Sequence, residues 1–234
     1  MKTSRLLLGI LIGLMVPGLG MALVSTGVLQ GPGAIAEWLS GGTAMQLAML
    51  VVALILILAI SRGRPAVYGF RMPSAAQARS ALLWGSIAAV ITHVVLAVLW
   101  TFLSPSAGHP GLKGDSFLHT VVSVWIIASI CEEVVYRGLV QGFLEPLRAY
   151  GLNISRVRLS LPVIIAALLF GGIHLMLLTT GAGGMLVGGI VGSAAVLGLV
   201  AGYYREKSGS LVPAVLIHML FNIYGSASAY IQNR

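Results

Sequence analysis

Long apolar runs separated by short polar joints make up most of this chain. The runs cover about 6–24, 44–61, 81–103, 117–140, 160–179, 183–204 and 211–229. Each is close to the length that a helix needs to cross about 30 Å of hydrocarbon at roughly 1.5 Å per residue. Lipid offers no partner to a backbone N–H or C=O, so a segment of this kind satisfies itself as a helix. The pattern predicts an all-α fold, a polytopic membrane helix bundle of about seven transmembrane helices. Start signals agree with the runs. Ser160-Leu-Pro162 opens the fifth and Ser210-Leu-Val-Pro213 the seventh. Each combines a capping serine with a proline in the first turn, where no helical hydrogen bond is lost. Thr43 is placed to cap the second run. The first run follows Met1-Lys-Thr-Ser-Arg5 in the manner of a signal peptide. It is long enough to span and lacks a small-x-small cleavage site, so it reads as an uncleaved first helix.

Composition narrows the class. Of 234 residues, 58% are hydrophobic and only 9% charged, against about 25% charged in soluble domains. A single integral membrane domain over 1–234 is expected, with no repeat and no second, soluble domain. The net charge of +8 does not signal nucleic acid, because no basic run is interleaved with aromatic residues. It follows the topology instead. Lys2 and Arg5 precede the first helix. Arg62, Arg64, Arg71 and Arg79 lie between the second and third, Arg148, Arg156 and Arg158 between the fourth and fifth, and Arg205 and Lys207 between the sixth and seventh. The alternate loops hold only Lys113, and the C-terminus only Arg234. Basic residues mark cytoplasmic loops, so the N-terminus is expected inside and the C-terminus outside. The segment 62–80 is then a cytoplasmic loop. One cysteine, Cys131, excludes an intrachain disulfide and reads as a small packing residue rather than a nucleophile. Gly184, Gly188 and Gly192, then Gly198 and Gly202, read as a face that lets another helix approach closely.

Candidate chemistry stands out against this apolar background. Glu132 and Glu133 are two of only six acidic residues and sit side by side inside the fourth run; Glu37, Asp115, Glu145 and Glu206 lie outside the runs or at their edges. A charge at the centre of a membrane helix costs about 2.5–3.5 kcal/mol, so an unpaired Glu-Glu-Arg set would cost on the order of 8–10 kcal/mol. Such groups persist when they pair or line a wet functional cavity. Glu133 and Arg137 are four apart and share a helix face, which predicts an ion pair that keeps Glu133 ionised and leaves it poorly suited to proton transfer. Glu132 is turned about 100° away and is the freer carboxylate. His218 and Asn222, also four apart, face one point from the seventh helix, and His174 comes from the fifth. His93, His109 and His119 read as structural.

This set suits amide hydrolysis, which needs a base for water, donors for the oxyanion and a proton for the leaving amine. Glu132 and His174 are suited to hold and deprotonate the water. His218, as a neutral N–H donor, and the Asn222 amide are suited to the oxyanion. The same Glu132, His174 and His218 also make an accepted set of zinc ligands, so a zinc-bound water is the second chemistry these residues allow. No nucleophile-elbow serine and no His-Glu-x-x-His pattern occurs.

Glu132-Glu-Val-Val-Tyr-Arg137, Phe170-Gly-Gly-Ile-His-Leu175 and His218-Met-Leu-Phe-Asn222, with Ser208-Gly-Ser-Leu-Val-Pro-Ala214 before the last, resemble the motifs of the CPBP family. These are CAAX proteases and bacteriocin-processing enzymes, intramembrane relatives of the type II CAAX prenyl endopeptidase. The resemblance covers about 115–226 as a catalytic core and leaves 1–114 as variable N-terminal helices. It implies an intramembrane endopeptidase, glutamate-type or metal-dependent, acting on a membrane-associated or lipidated peptide. By the same resemblance Glu132 and His174 activate water, His218 and Asn222 form the oxyanion site, and Glu133 and Arg137 support it. A cavity open to the cytoplasmic side of a prokaryotic plasma membrane is expected. The competing readings are a non-catalytic scaffold or immunity-type protein of the same fold, and a proton-coupled transporter, which would need matching broken-helix halves that are not evident.

Overall fold

A computed structural model describes residues 2–27, 38, 42–103 and 116–232. Glu37, His109, Lys113, Asp115 and Arg234 lie outside the described residues. Among the described residues, seven long helical elements are present: α1 (Lys2–Ser25), α2 (Gly42–Ser61), α3 (Ala75–Leu103), α4 (Phe117–Leu147), α5 (Leu161–Ile173), α6 (Gly184–Ser208) and α7 (Val212–Gln232). Six spans are long and apolar enough to cross a membrane, and α7 adds a shorter apolar stretch, Val212–Ala227. The all-α bundle is therefore observed. One hairpin interrupts it, with β1 (Gly151–Ile154) pairing antiparallel to β2 (Val157–Ser160) between α4 and α5. The alternation Leu152-Asn-Ile154, then Val157-Arg-Leu159, was its signal in the sequence.

The boundaries follow local chemistry. Ser160 caps α5, accepting from the Val163 amide, and Pro162 sits in its first turn. Ser210 Oγ accepts from the Val212 amide at the start of α7. The second helix differs from expectation. It already begins at Gly42, so Thr43 is a buried member of the first turn rather than its cap. Pro65–Tyr68 forms a short tight turn of helix inside the 62–80 segment, and α3 takes over at Ala75.

Two helices depart from regular geometry. Within α4, wide π-helical turns cover Thr120–Ala128 and Val134–Val140, with an ordinary α-helical stretch, Ser129–Glu133, between them. After Ile173, the chain tightens into a 3₁₀ segment, His174–Thr180. Both irregularities occur where the sequence places its polar residues, and such segments are favoured at functional sites.

Helix α4 is central, touching α1, α2, α5 and α7, while α5 packs on α6, α7 on α3 and α1 on α2. Glycines set several of these approaches. A Cβ on Gly9 would run into Leu144, one on Gly13 into Leu169 at 2.8 Å and one on Gly85 into Ile217 at 2.8 Å. The expected glycine face of α6 divides. Gly198 and Gly202 pack against α5, but a Cβ on Gly184, Gly188 or Gly192 would meet nothing within 4 Å. The four-spaced row lies on the outside of the described helices. Contact instead comes from Gly189, which faces Trp100.

The basic joints gather at one end. Lys2 reaches Tyr150, Arg5 donates to the Phe143 carbonyl, and Arg71 donates to the Gly209 carbonyl. Arg205 faces Glu145 at 3.5 Å, and Arg148 faces Glu206 at 3.1 Å. Tyr68 lies buried among them; burial pushes its hydroxyl above the ordinary range, and Arg5 and Arg205 pull it back only in part.

Candidate active site

The α-helical stretch Ser129–Glu133 carries both glutamates, and the wide turn after it carries Arg137. As the spacing predicted, Arg137 Nη1 lies 3.0 Å from Glu133 Oε1, with both side chains fully buried. The same oxygen lies 2.8 Å from His218 Nδ1. Glu133 is thus held between a guanidinium on its own helix and an imidazole from α7. Two cationic or donor groups around one carboxylate offset much of the desolvation that each would suffer alone.

Arg137 needs more than Glu133. Its guanidinium stacks over the Phe170 ring at 4.5 Å, a contact that suits a weakly hydrated planar cation in an apolar interior. Space for it comes from α6. A Cβ on Gly198 would lie 3.0 Å from Arg137 Nη2 and 2.8 Å from Ala167. Among the described residues, Arg137 Nε and Nη2 have no hydrogen-bond partner, so the ion pair and the ring carry this group.

Glu132 is different. Its side chain keeps 15% of its surface exposed, against none for Glu133. His218 Nε2 lies 3.6 Å from Glu132 Oε2, too long for a direct hydrogen bond but close enough for one water beside the pair to reach both. The other carboxylate oxygen accepts from Gln46 Nε2 at 2.5 Å. Gln46 belongs to α2, and its own Oε1 is buried without a partner among the described residues. Sequence reasoning did not include Gln46. Its signal was that it is the one amide side chain in the apolar run 44–61.

The imidazoles have assigned edges. With ionised Glu133 accepting at Nδ1, neutral His218 carries its proton there and presents a lone pair at Nε2. The N–H that neutral His218 was expected to offer an oxyanion is thus directed at Glu133, and Nε2 faces Glu132 as an acceptor. His174 Nδ1 lies 2.9 Å from the Phe170 carbonyl, which fixes its proton at Nδ1 and leaves Nε2 as an acceptor. Phe170 joins the two rings, with centroids 5.2 Å from His174 and 5.5 Å from His218. Asn222 is placed otherwise than expected. Its amide nitrogen donates to the Val124 carbonyl at 2.9 Å and to Ser129 Oγ at 3.0 Å, so both of its hydrogens are taken by α4. Donation to an oxyanion requires Asn222 to release one of them.

Glu132, Glu133, Arg137 and His218 therefore meet directly, His174 joins them across Phe170, and Asn222 ties α7 to the wide turn of α4. Cys131 is buried one position before Glu132. His93 donates within α3 to the Ala89 carbonyl, and His119 stacks near Trp38, both apart from this cluster. Among the described residues, no group of three or more His, Cys, Asp or Glu side chains is arranged to hold a metal ion. The three side chains of the zinc set, Glu132, His174 and His218, are not gathered around one point, yet each keeps a free donor: Glu133 and the Phe170 carbonyl engage only Nδ1 of His218 and His174, and Gln46 engages only one oxygen of Glu132.

Residues 114–224 match the family model described as Type II CAAX prenyl endopeptidase Rce1-like. The match bears out the resemblance carried by the three motifs and is consistent with the CPBP family. At the level of the family it supports a CAAX-type intramembrane protease. No curated protein and no solved structure matches the chain.

Proposed function

We propose that this protein is an intramembrane endopeptidase that hydrolyses a peptide bond of a membrane-associated or lipidated substrate with water activated by Glu132 and His174. The observation that carries the reading is the inequality of the two adjacent glutamates. Glu133 is sealed between Arg137 and His218, while Glu132 stays partly exposed with one oxygen toward His218 Nε2. A general base must reach its proton, and only Glu132 has such access.

In this mechanism Gln46 holds one oxygen of Glu132 in place, and the other faces the water. The unprotonated Nε2 of His174 accepts from the same water and orients it. Glu132 takes the proton as the water oxygen attacks the peptide carbonyl. His218, held at Nδ1 by Glu133 and in this reading protonated at both ring nitrogens, donates from Nε2 to the developing oxyanion. Asn222 assists after releasing α4. The proton on Glu132 passes to the leaving amine, which restores the carboxylate. A base of this kind contributes about 10²–10⁴-fold and one oxyanion donor about 10²–10³-fold.

The basic joints share one end of the bundle, and the positive-inside rule makes that end cytoplasmic. His218 stands six residues into α7 from that end, about 9 Å along the axis. Glu132 stands deeper than the shorter predicted span implied, midway between Phe117 and Leu147. A prenylated C-terminal tail lying in the inner leaflet suits both the family and a site at this depth. The test incubates wild type, Glu132→Gln and His174→Ala with prenylated and membrane-protein peptides, with and without chelator, and reads products by mass spectrometry. Cleavage by wild type in chelator, lost in both variants, is expected. Cleavage retained by folded Glu132→Gln overturns the reading, and loss in chelator restored by zinc replaces it with a metal-dependent one.

A further inference from the structure

Two features at the basic end of the bundle converge on the hairpin, independently of the peptidase reading. The first is the apolar face of the hairpin. In the observed register, Leu152 lies opposite Leu159 and Ile154 opposite Val157, so these four side chains share one face, while Asn153 and Arg158 occupy the other. Leu152 and Ile154 are 59% and 57% exposed, and Val157 is exposed as well. An isolated two-stranded hairpin is marginal in water and normally needs an apolar face covered. This one joins α4, ending at Leu147, to α5, starting at Leu161. It therefore hangs within a few residues of the ends of two spans.

The second feature is a cavity of about 540 Å³ beside the hairpin, lined by Arg148, Arg156, Arg158, Tyr203, Glu206 and Lys207. Four cations face one carboxylate. That carboxylate is already neutralised, since Glu206 pairs with Arg148 Nε at 3.1 Å and accepts from Ser160 Oγ. Arg158 donates to the Ala149 carbonyl, which holds its guanidinium at the cavity wall. Lys207 hangs over the Tyr203 ring at 5.6 Å. The excess positive charge calls for an anion, and guanidinium forks match phosphate oxygens.

We propose that this cavity and hairpin form a binding site for an anionic phospholipid, its phosphate headgroup among Arg148, Arg156, Arg158 and Lys207 and the apolar face of the hairpin sunk into the surrounding lipid. A phosphate ion alone would satisfy the cations and leave Leu152, Ile154 and Val157 uncovered. A lipid layer satisfies both features, its anionic headgroup on the Arg158 side of the hairpin and its acyl chains on the apolar side. Basic pockets at the ends of transmembrane helices recognise headgroups in this way.

The test uses the full-length protein, delipidated and titrated with phosphatidylglycerol or phosphatidylcholine, with bound lipid counted by native mass spectrometry. Wild type is expected to retain phosphatidylglycerol in preference to phosphatidylcholine, and millimolar free phosphate is not expected to displace it. Arg156→Gln with Lys207→Gln should weaken retention by about five-fold for each cation removed. Leu152→Ser with Ile154→Ser, which leaves the cavity charge intact, should also weaken it while the melting temperature holds. Equal retention of the two lipids, unchanged retention in both double variants, or displacement by free phosphate would each overturn the proposal.

Discussion

The molecule has two Glu–Arg centres, and they differ in what their charges are worth. In the middle of the bundle, Glu133 and Arg137 are fully buried and share His218. At the basic end, Arg148 meets Glu145 and Glu206 with half of its side chain in solvent. Water and salt can replace the partners of Arg148, though Arg205, which faces Glu145 at the same end, is buried. Nothing replaces them in the interior, where removing one member strands the others. The lesson is that burial, not the identity of the pair, decides whether such a contact holds the fold, and that the interior pair also fixes which edge of the His218 ring faces Glu132. The exposed cations at the basic end are free to recognise something outside the chain because exposed pairs contribute little to holding it together.

The sharpest break of this comparison is Arg137→Met. It leaves Glu133 buried with His218 alone and empties the space over Phe170. Breaking a buried pair from one side costs about 3–5 kcal/mol, so this variant should lose a large part of its stability in detergent. Thermal melts and the yield of monodisperse protein check it. A melting temperature within a degree of wild type would show that the pair is not structural.

Gly198→Ala attacks the same centre through packing. The added methyl would sit 2.8 Å from Ala167 and 3.0 Å from Arg137 Nη2, so α5 and α6 must separate. Overpacking of this kind costs about 1–3 kcal/mol. Gly188→Ala on the same helix meets nothing within 4 Å and should leave the melt unchanged or slightly raised. Equal effects of the two substitutions would contradict the division of α6 into a packed and an outer glycine set.

Gln46→Met separates positioning from fold. It keeps the length of the side chain and removes the N–H that meets Glu132. A positioned base contributes about 10²–10⁴-fold, so loosening Glu132 should lower kcat about ten-fold or more with KM little changed. A rise in KM at constant kcat would instead assign Gln46 to substrate binding.

Much of this was legible in the chain. The spans could be counted because lipid forces each apolar run into a helix, and the Glu133–Arg137 pair followed from a spacing of four. The order of the three motifs marked the same stretch that the family model matches, 114–224. What was not legible depends on contacts between helices. Gln46 reaches Glu132 from 86 residues away, and no local pattern signals that. The edge of His218 that carries the proton depends on Glu133 across the helix interface. Asn222 shares a face with His218 as predicted, yet the wide turn of α4 offers Val124 and Ser129 to its amide first. A π-helical turn leaves no periodic mark in so uniformly apolar a run, so that competition could not be read in advance.

The smallest expected effect completes the comparison. Arg148→Gln removes the guanidinium from Glu145 and Glu206, but Glu206 keeps Ser160 Oγ and Glu145 keeps Arg205. Arg148 is half exposed, and exposed pairs contribute about 0–1 kcal/mol that salt screens further. The melt should therefore move slightly at low ionic strength and not at all at high. A large, salt-independent loss would mean that the Arg148–Glu206 contact is as structural as the buried pair. The contrast between the two centres would then fail, and with it the reason for regarding the basic end as free to bind a ligand.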